Sequence, residues 1–298
     1  MHELPIPAAI ERALSGLPPA IRNRILERLQ SLTDYEPVIG IAGKSGAGKS
    51  SLCNALFSGE VSPVSDVLAC TRDALRFRLK ADKHSLMIID LPGAGESEVR
   101  DRQYAELYQS LLPEMDLVLW VIKADDRALS VDEKFYREVI GPYRDKVLFV
   151  VSQVDRFEPL PQGASAFDSP SVPQRHNLSL KLEDIRQRFA PIHPLCAVSA
   201  RTRWGIAAMV SVMMACLPDK ATSPVTSRLH KSLRTENIRG QARERFGRTV
   251  GDMLDIGCSL AVKCKFSRIM VTQTHLILFD SKGDQPVTTE ASPVLEPL

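Results

Sequence analysis

The chain has 298 residues, a net charge of +2 at neutral pH, 44% hydrophobic residues and 25% charged residues. This composition excludes a collagen-like or wholly disordered chain, and the small net charge gives no argument for nucleic acid as a partner. No stretch approaches the roughly 18 consecutive apolar residues of a membrane span, and the first residues lack the apolar core of a signal peptide. We therefore expect a cytoplasmic protein and no membrane association.

Three zones follow one another along the chain. Residues 1–35 carry apolar residues at spacings of three and four, interrupted by two prolines, which predicts a helical extension of two short amphipathic helices. Residues 36–218 alternate strand-like and helix-like segments. Residues 219–298 begin with a predicted linker, Thr222–Ser227, and continue with a basic, helix-compatible stretch. Their Pro-, Thr- and Ser-rich end predicts a partly disordered tail.

The central zone predicts an α/β fold. Its strands are Val38–Ala42, Ala74–Lys80, Ser85–Asp90, Leu117–Ile122, Val147–Ser152 and Leu195–Val198. Its helices are Lys49–Phe57, Asp101–Leu112, Val131–Ile140, Asn177–Phe189 and Trp204–Leu217. Apolar strands that alternate with helices indicate a six-stranded, mostly parallel sheet covered by helices on both faces. The second and third strands have only a short connection and should form an antiparallel hairpin at one edge.

A glycine-rich segment directly after the first strand matches the phosphate-binding pattern GxxxxGK[ST]. Glycines let successive backbone N–H groups point at phosphate oxygens, and the N-terminus of the next helix adds positive potential. Lys49 would reach the β- and γ-phosphates, and the Ser50 hydroxyl would bind Mg²⁺. A turn without a ligand is the alternative, which the strand–loop–helix context disfavours. The predicted nucleotide-binding residues here are Gly43, Lys44, Ser45, Gly46, Ala47, Gly48, Lys49, Ser50 and Ser51.

Two further segments predict contacts to the metal and the γ-phosphate. Asp90 ends an apolar strand, so its carboxylate can hold Mg²⁺ directly or through water, and the Gly93 amide is placed to meet a γ-phosphate. Thr71 lies in the loop before the predicted hairpin, where a hydroxyl can complete the Mg²⁺ shell and sense the γ-phosphate. The predicted catalytic residues are Lys49, Thr71 and Gly93. The predicted metal ligands are Ser50, Thr71 and Asp90.

The segment after the fifth strand predicts recognition of the base. The carboxylate of Asp155 can accept hydrogen bonds from N1 and N2 of guanine, and Gln153 lies beside it. Adenine lacks this donor pair, so a site built on the contact prefers guanine. Ser199 and Ala200 follow the last strand, where a backbone N–H would bind the guanine O6. GTP and GDP, with Mg²⁺, are therefore the predicted ligands.

With five motifs in this order, the chain resembles the translation-factor-related GTPases and, among them, the Era/TrmE-like branch. It is also similar to a bacterial, often prophage-borne family described as predicted 50S ribosome-binding GTPases. That similarity rests on YEPVIGIAGKSGAGKSSLCNALF, VSPVSDVLACTRD, DLPGAGES and LWVIKADDRAL. The resemblance covers about residues 1–250. It implies a Ras-like G domain, GTP hydrolysis, and the 50S ribosomal subunit or its rRNA as a partner.

Three positions depart from the pattern of these relatives. Ser152 and Gln153 stand where most GTPases have Asn or Thr followed by Lys, so we expect guanine preference with a lower affinity. Ala94 stands near the place of a water-orienting Gln, so we expect slow intrinsic hydrolysis. Gly46 replaces the Asn that binds potassium in potassium-activated members, so we do not expect potassium stimulation.

Two alternatives stay open at this point. The first is a nucleotide-gated scaffold that hydrolyses little and either dimerises in a nucleotide-dependent manner or docks to a membrane. Ala94 and the N-terminal amphipathic helices motivate it. The second, a P-loop kinase, leaves Asp155 without a purpose. The basic stretch at 228–248 fits either phosphate contacts to rRNA or lipid, or a solvated helix face.

Overall fold

The computed structural model describes residues 15, 19–63, 74–81, 84–95, 97–158, 169–259, 266–271, 276–280 and 286–287. Several predictions lie outside these residues: those for Thr71 with the rest of segment 64–73, for the first N-terminal helix and for the end of the tail. The chain comprises two compact units, one of residues 36–238 and one of residues 1–35 with 239–298.

One seven-stranded sheet forms the centre of the first unit. Its strands are β1 (Val38–Ala42), β2 (Glu60–Pro63), β3 (Leu75–Ala81), β4 (His84–Asp90), β5 (Leu117–Lys123), β6 (Val147–Ser152) and β7 (Cys196–Ala197). The strand order is β2-β3-β4-β1-β5-β6-β7. The pairs β4–β1, β1–β5, β5–β6 and β6–β7 are parallel, whereas β2–β3 and β3–β4 are antiparallel. The predicted α/β fold and its mostly parallel sheet are confirmed, with all six predicted strands present.

Strand β2 extends the sheet beyond the six predicted strands, so that β2 rather than β3 lies at the edge. Glu60 is opposite Lys80 and Pro63 is opposite Phe77 in the antiparallel register. The segment EVSP has neither alternating apolar residues nor an apolar run, so its sequence does not predict a strand. A proline is tolerated at a sheet edge, where its missing N–H breaks no ladder on the open side.

Helices connect the strands and flank the sheet. They are α1 (Pro19–Thr33), α2 (Lys49–Leu56), α3 (Glu98–Leu111), α4 (Ser130–Phe135), α5 (Val172–Phe189), α6 (Ile206–Cys216), α7 (Asp219–Arg228) and α8 (Glu236–Ser259). The five helices predicted for the central zone are present. Helix α5 begins before the predicted Asn177 because Ser171 and Gln174 form a capping box, with hydrogen bonds of 3.4 and 2.8 Å.

An aromatic cluster around Trp120 packs between β5, β6 and the flanking helices. The Trp120 side chain is 2% exposed, which confirms its predicted place in the core. Its ring centroid lies 5.9 Å from that of Tyr136, 6.0 Å from that of Phe149 and 6.5 Å from that of Tyr108. These tilted and edge-on contacts add to the hydrophobic stabilisation of the sheet that positions the site.

The prediction of a linker at Thr222–Ser227 is wrong, because these residues lie within helix α7. The Thr222 hydroxyl donates to Asp219 O at 2.7 Å, and the Thr226 hydroxyl donates to Thr222 O at 2.8 Å. Because the helix's own carbonyls satisfy these hydroxyls, both threonines can be buried. The compact unit therefore continues past residue 218. The functional boundary of a G domain at residue 218 stays a prediction.

The second unit contains α1, most of α8 and a small antiparallel sheet. Its strands are β8 (Phe266–Val271), β9 (Leu276–Asp280) and β10 (Pro286–Val287), in the order β10-β9-β8. Strands within the predicted tail are a difference from expectation, and the loose alternation of apolar residues there is their sequence pattern. Among the residues described, no helix combines the length and apolar character that a bilayer crossing requires.

Candidate nucleotide-binding site

A cavity of about 950 Å³ lies where the loops after β1, β4 and β6 meet. The carboxyl ends of parallel strands share one sheet edge, and ligand sites of α/β folds form at that edge. The volume lies within the range of small-molecule sites. Predicted site residues that line the cavity are Ser45, Gly46, Gly48, Lys49, Ser50, Ser51, Asp90, Gln153, Asp155 and Ala200.

The loop between β1 and α2 has the backbone of a phosphate cradle. Gly43 has φ +139°, and a Cβ there would collide with the carbonyl oxygen of Val121, so this position accepts only glycine. Gly46 and Gly48 have φ +76° and +91°, and a Cβ on Gly46 would meet open space. The loop therefore fits a phosphate group that approaches its backbone closely.

Lys49 and Asp90 meet at one end of the cavity. Lys49 Nζ donates to Gly43 O at 2.8 Å and lies 3.8 Å from Asp90 Oδ1. Burial raises the pKa of the Asp90 carboxyl, and the nearby Lys49 charge opposes that rise. Within the described residues no hydrogen-bond donor reaches the buried Asp90 Oδ1. A carboxylate oxygen in this state, with the Ser50 hydroxyl lining the same cavity, fits a bound Mg²⁺ ion.

The turn after Asp90 packs directly on the phosphate loop. A Cβ on Gly93 would lie 2.6 Å from Lys44 Cα and 2.7 Å from Lys44 N, so no side chain fits between the two backbones. The Tyr108 hydroxyl donates to Pro92 O at 2.8 Å and holds the turn in place. Ala94 is 5% exposed. A change in the turn would therefore reach the phosphate loop by backbone contact.

Lys44 is held by a carboxylate cluster that the sequence did not predict. Its Nζ lies 2.6 Å from Asp132 Oδ2 and 3.1 Å from Asp126 Oδ2, and Lys181 donates to the Asp126 carbonyl. Burial lowers the pKa of Lys44, but the pairing with Asp132 and Asp126 outweighs it and raises that pKa overall. The Lys44 side chain thus anchors the loop. A contribution of its backbone to nucleotide binding stays a prediction.

Ser152 and Gln153, two departures from the GTPase pattern, bond to the phosphate loop. The buried Ser152 hydroxyl donates to Ala47 O at 2.5 Å. Gln153 has φ +58°, and its Nε2 donates to Gly46 O at 2.8 Å. Both contacts tie the segment after β6 to the loop after β1. The sequence predicted Gln153 as a nucleotide-binding residue and a weakened base contact at both positions, but it did not indicate these hydrogen bonds to the phosphate loop.

Asp155 lines the same cavity as Asp90. Its side chain is 4% exposed and forms an ion pair of 2.8 Å with Nη2 of Arg201. The Arg201 side chain is 73% exposed. Arg201 was not among the predicted site residues, although its place directly after Ala200 brings it to the same edge of the sheet.

The loop after β7 is held by hydrogen bonds of Ser199. The Ser199 hydroxyl accepts from Thr202 N at 3.2 Å, and Ser199 N donates to Trp204 O at 3.0 Å. Ser199 is fully buried, whereas Ala200 lines the cavity. Ser199 therefore stabilises the conformation of this loop. Its direct contact with a nucleotide stays a prediction, as does the role of Thr71.

Comparison with known proteins identifies the family. Residues 38–153 match a family model described as "50S ribosome-binding GTPase". YfjP of Escherichia coli (strain K12) is 56% identical over 247 residues, which are 83% of this chain and 85% of YfjP. YkfA of the same strain is 54% identical over 248 residues, with the same two shares. The chain belongs to the P-loop GTPase family of YfjP and YkfA.

The GTPase family extends to a more distant relative. The tRNA modification GTPase MnmE of Campylobacter jejuni (subsp. jejuni serotype O:23/36, strain 81-176) is 35% identical over 118 residues, which are 39% of this chain and 26% of MnmE. The predicted resemblance to Era/TrmE-like P-loop GTPases is confirmed. As a GTPase of this family, the protein binds guanine nucleotide with Mg²⁺ and hydrolyses GTP. The residues assigned to these tasks stay predictions.

Proposed function

We propose that the protein is a switch whose state is set by the bound guanine nucleotide. The observation that supports this most directly is that Lys49, Asp90 and the buried Asp155 line one cavity. A cation and a metal-binding carboxylate suit phosphates, whereas a second carboxylate suits the donor edge of guanine. The turn at Gly93 contacts the phosphate loop, so the conformation of the turn would depend on whether a γ-phosphate is bound.

The proposed mechanism of GTP hydrolysis depends on Lys49 and the residues near it. Lys49 Nζ exchanges its bond to Gly43 O for phosphate oxygens and stabilises charge that develops on the γ-phosphate. Ser50 and Asp90, with Thr71 from the sequence pattern, would hold Mg²⁺, which would supply further positive charge at the γ-phosphate. The Gly93 N–H donates to the γ-phosphate. Water attacks the phosphorus of the γ-phosphate on the side opposite the bond to GDP, and this bond breaks as GDP leaves.

Intrinsic hydrolysis is slow in this proposal. Ala94 has a methyl side chain and is buried, so it cannot orient the attacking water. A partner that supplies a polar group beside the γ-phosphate would therefore accelerate the reaction. The same property supports the second candidate function, a scaffold that keeps GTP bound and assembles with itself.

Nucleotide affinities of the purified protein test the site assignment. We expect GTP to bind more tightly than ATP, and Lys49→Ala to weaken GTP binding at least a hundredfold, because the cation at the phosphates is lost. Lys134→Ala removes an equal charge from an exposed position on α4 and should leave the affinity unchanged. Tighter binding of ATP, or unchanged GTP affinity in Lys49→Ala, contradicts the proposal.

The partner that we propose is the large ribosomal subunit in the cytoplasm, supported by the description of the matching family. Sedimentation of the tagged protein from lysate should place it with large subunits in the presence of a non-hydrolysable GTP analogue and not with GDP. Dimerisation that depends on the analogue, without subunit association, would favour the scaffold instead. Sedimentation independent of nucleotide contradicts the switch.

A further inference from the structure

The carboxylate proposed to contact guanine already forms an ion pair within the cavity. Asp155 is nearly fully buried and pairs with Arg201 at 2.8 Å, while Arg201 extends to the surface. We propose that Arg201 competes with guanine for Asp155 and thereby lowers the affinity and the base selectivity of the nucleotide-free protein. This inference rests on the proposed role of Asp155 as the guanine contact.

The competition follows from the chemistry of the two donors. The N1–H and N2–H groups of guanine present two neighbouring donors to a carboxylate. A guanidinium group presents the same arrangement of neighbouring N–H donors. Arg201 Nη2 already occupies Asp155 Oδ2, one of the two oxygens that guanine would use, so the arginine and the base compete for this oxygen.

Burial explains why the arginine pairs with Asp155 and why it can leave. A buried carboxylate without a partner is costly, so the nucleotide-free protein favours a nearby cation there. Arg201 itself is mostly in contact with solvent, because 73% of its side chain is exposed. Release therefore returns the arginine to water at small cost, whereas the carboxylate gains a replacement partner in guanine.

The loop around Arg201 is fixed, so that the side chain alone would move. Ser199 bonds to Thr202 and Trp204, and a Cβ on Gly205 would collide with the carbonyl oxygen of Ala197. These contacts hold the backbone on both sides of Arg201. The apparent association constant for guanine nucleotide then equals the intrinsic constant multiplied by the fraction of molecules in which the pair is open.

The test compares guanine and adenine nucleotides in Arg201→Ala. If Arg201 acted only by attracting the negatively charged phosphates, its loss would weaken the binding of GDP and ADP equally. If Arg201 competes with guanine, its loss strengthens the binding of GDP alone, because only guanine uses Asp155. We expect the ratio of the dissociation constants of ADP and GDP to rise about three- to tenfold. Arg201→Gln, which keeps a long side chain without the charge, should change the ratio in the same direction.

The matched control is Arg137→Ala, which removes another exposed, ion-paired arginine from a helix outside the cavity. Its side chain is 71% exposed and pairs with Glu133 at 2.5 Å. This variant should leave the ratio unchanged. An unchanged or lower ratio in Arg201→Ala overturns the inference, and a lower ratio would show that Arg201 supports the base instead.

Asp155→Asn separates this inference from the function on which it rests. If Asp155 contacts guanine, this variant lowers the ratio of the dissociation constants of ADP and GDP. An unchanged ratio in Asp155→Asn contradicts the assignment of the base contact itself. A lower ratio in Asp155→Asn, combined with no rise in Arg201→Ala, overturns the competition alone. Adding Arg201→Ala to Asp155→Asn should have no further effect, because the competition requires the carboxylate.

Discussion

At the scale of single residues, Gly93 shows how backbone contact replaces side-chain contact in this site. A Cβ added to Gly93 would lie within 2.7 Å of two backbone atoms of Lys44, which cannot move aside as the end of a flexible side chain can. Lys44 in turn is anchored to Asp132 and Asp126. The backbones of the turn and the loop are therefore in direct contact, and a shift of the turn toward the loop requires the loop to shift as well.

Gly93→Ala should lower the free energy of unfolding by about 1–3 kcal/mol, because the added methyl group forces these backbones apart. GTP affinity should fall more than GDP affinity, since the turn is proposed to contact the γ-phosphate. Thermal or denaturant unfolding and nucleotide titration measure the two effects. Gly240→Ala, in α8 with nothing within 4 Å of its Cβ, should be neutral or slightly stabilising. Equal stability of Gly93→Ala and the unmodified protein contradicts the contact.

At the scale of elements, the end of β6 is joined to the phosphate loop by the buried Ser152 hydroxyl. Ser152→Ala leaves the carbonyl of Ala47 without this donor and should cost about 1–3 kcal/mol of stability. Affinities for GDP and ADP should fall together, because the loop rather than the base contact is weakened. Ser179→Ala removes an exposed hydroxyl bonded to Arg175 O and should change neither quantity. A selective loss of GDP binding in Ser152→Ala would argue for a direct base contact.

A second link joins the start of β1 to β3. Arg78 donates from Nε to Glu36 Oε1 at 2.6 Å and from Nη2 to Oε2 at 2.9 Å. Burial raises the pKa of Glu36, but hydrogen bonds from Arg78 and Ser85 outweigh it and lower that pKa overall. A lowered pKa means that the stabilisation is present above the ordinary value of 4.5 and disappears as pH falls through the folded-state value.

Glu36→Gln should therefore reduce the free energy of unfolding by about 0.5–1 kcal/mol at neutral pH, a modest figure because the pair is partly exposed. The difference from the unmodified protein should shrink as pH falls below 4.5. Denaturant unfolding at a series of pH values measures it. A difference that stays constant with pH would mean that the carboxylate charge contributes nothing to the link.

At the scale of the whole molecule, the sequence predicted the positions that depend on chain order and strand ends. Lys49 and Asp155 follow strands of the sheet and Asp90 ends one, and the carboxyl ends of parallel strands meet at one edge. Their common cavity was therefore predictable. The predicted fold and the family follow from the same ordered motifs.

The contacts that were missed depend on how side chains meet across the fold. Lys44 is 82 residues from Asp126, and nothing in either segment indicates the other. Arg201 was not predicted, because its pair with Asp155 forms only once β6 and β7 are adjacent. Helix α7 was missed for another reason: its Ser, Thr and Pro composition is typical of linkers, and its buried hydroxyls are satisfied only in the helix.

A crystal structure with Mg²⁺ and a non-hydrolysable GTP analogue would show whether the cavity binds guanine nucleotide as proposed. We expect phosphate oxygens within hydrogen-bond distance of Lys49 Nζ, and the metal bound by Ser50 and, directly or through water, by Asp90. We also expect that Asp155 pairs with N1 and N2 of guanine and that Arg201 has turned away. A base bound elsewhere than at Asp155, or phosphates outside the loop of residues 43–50, would contradict the proposal.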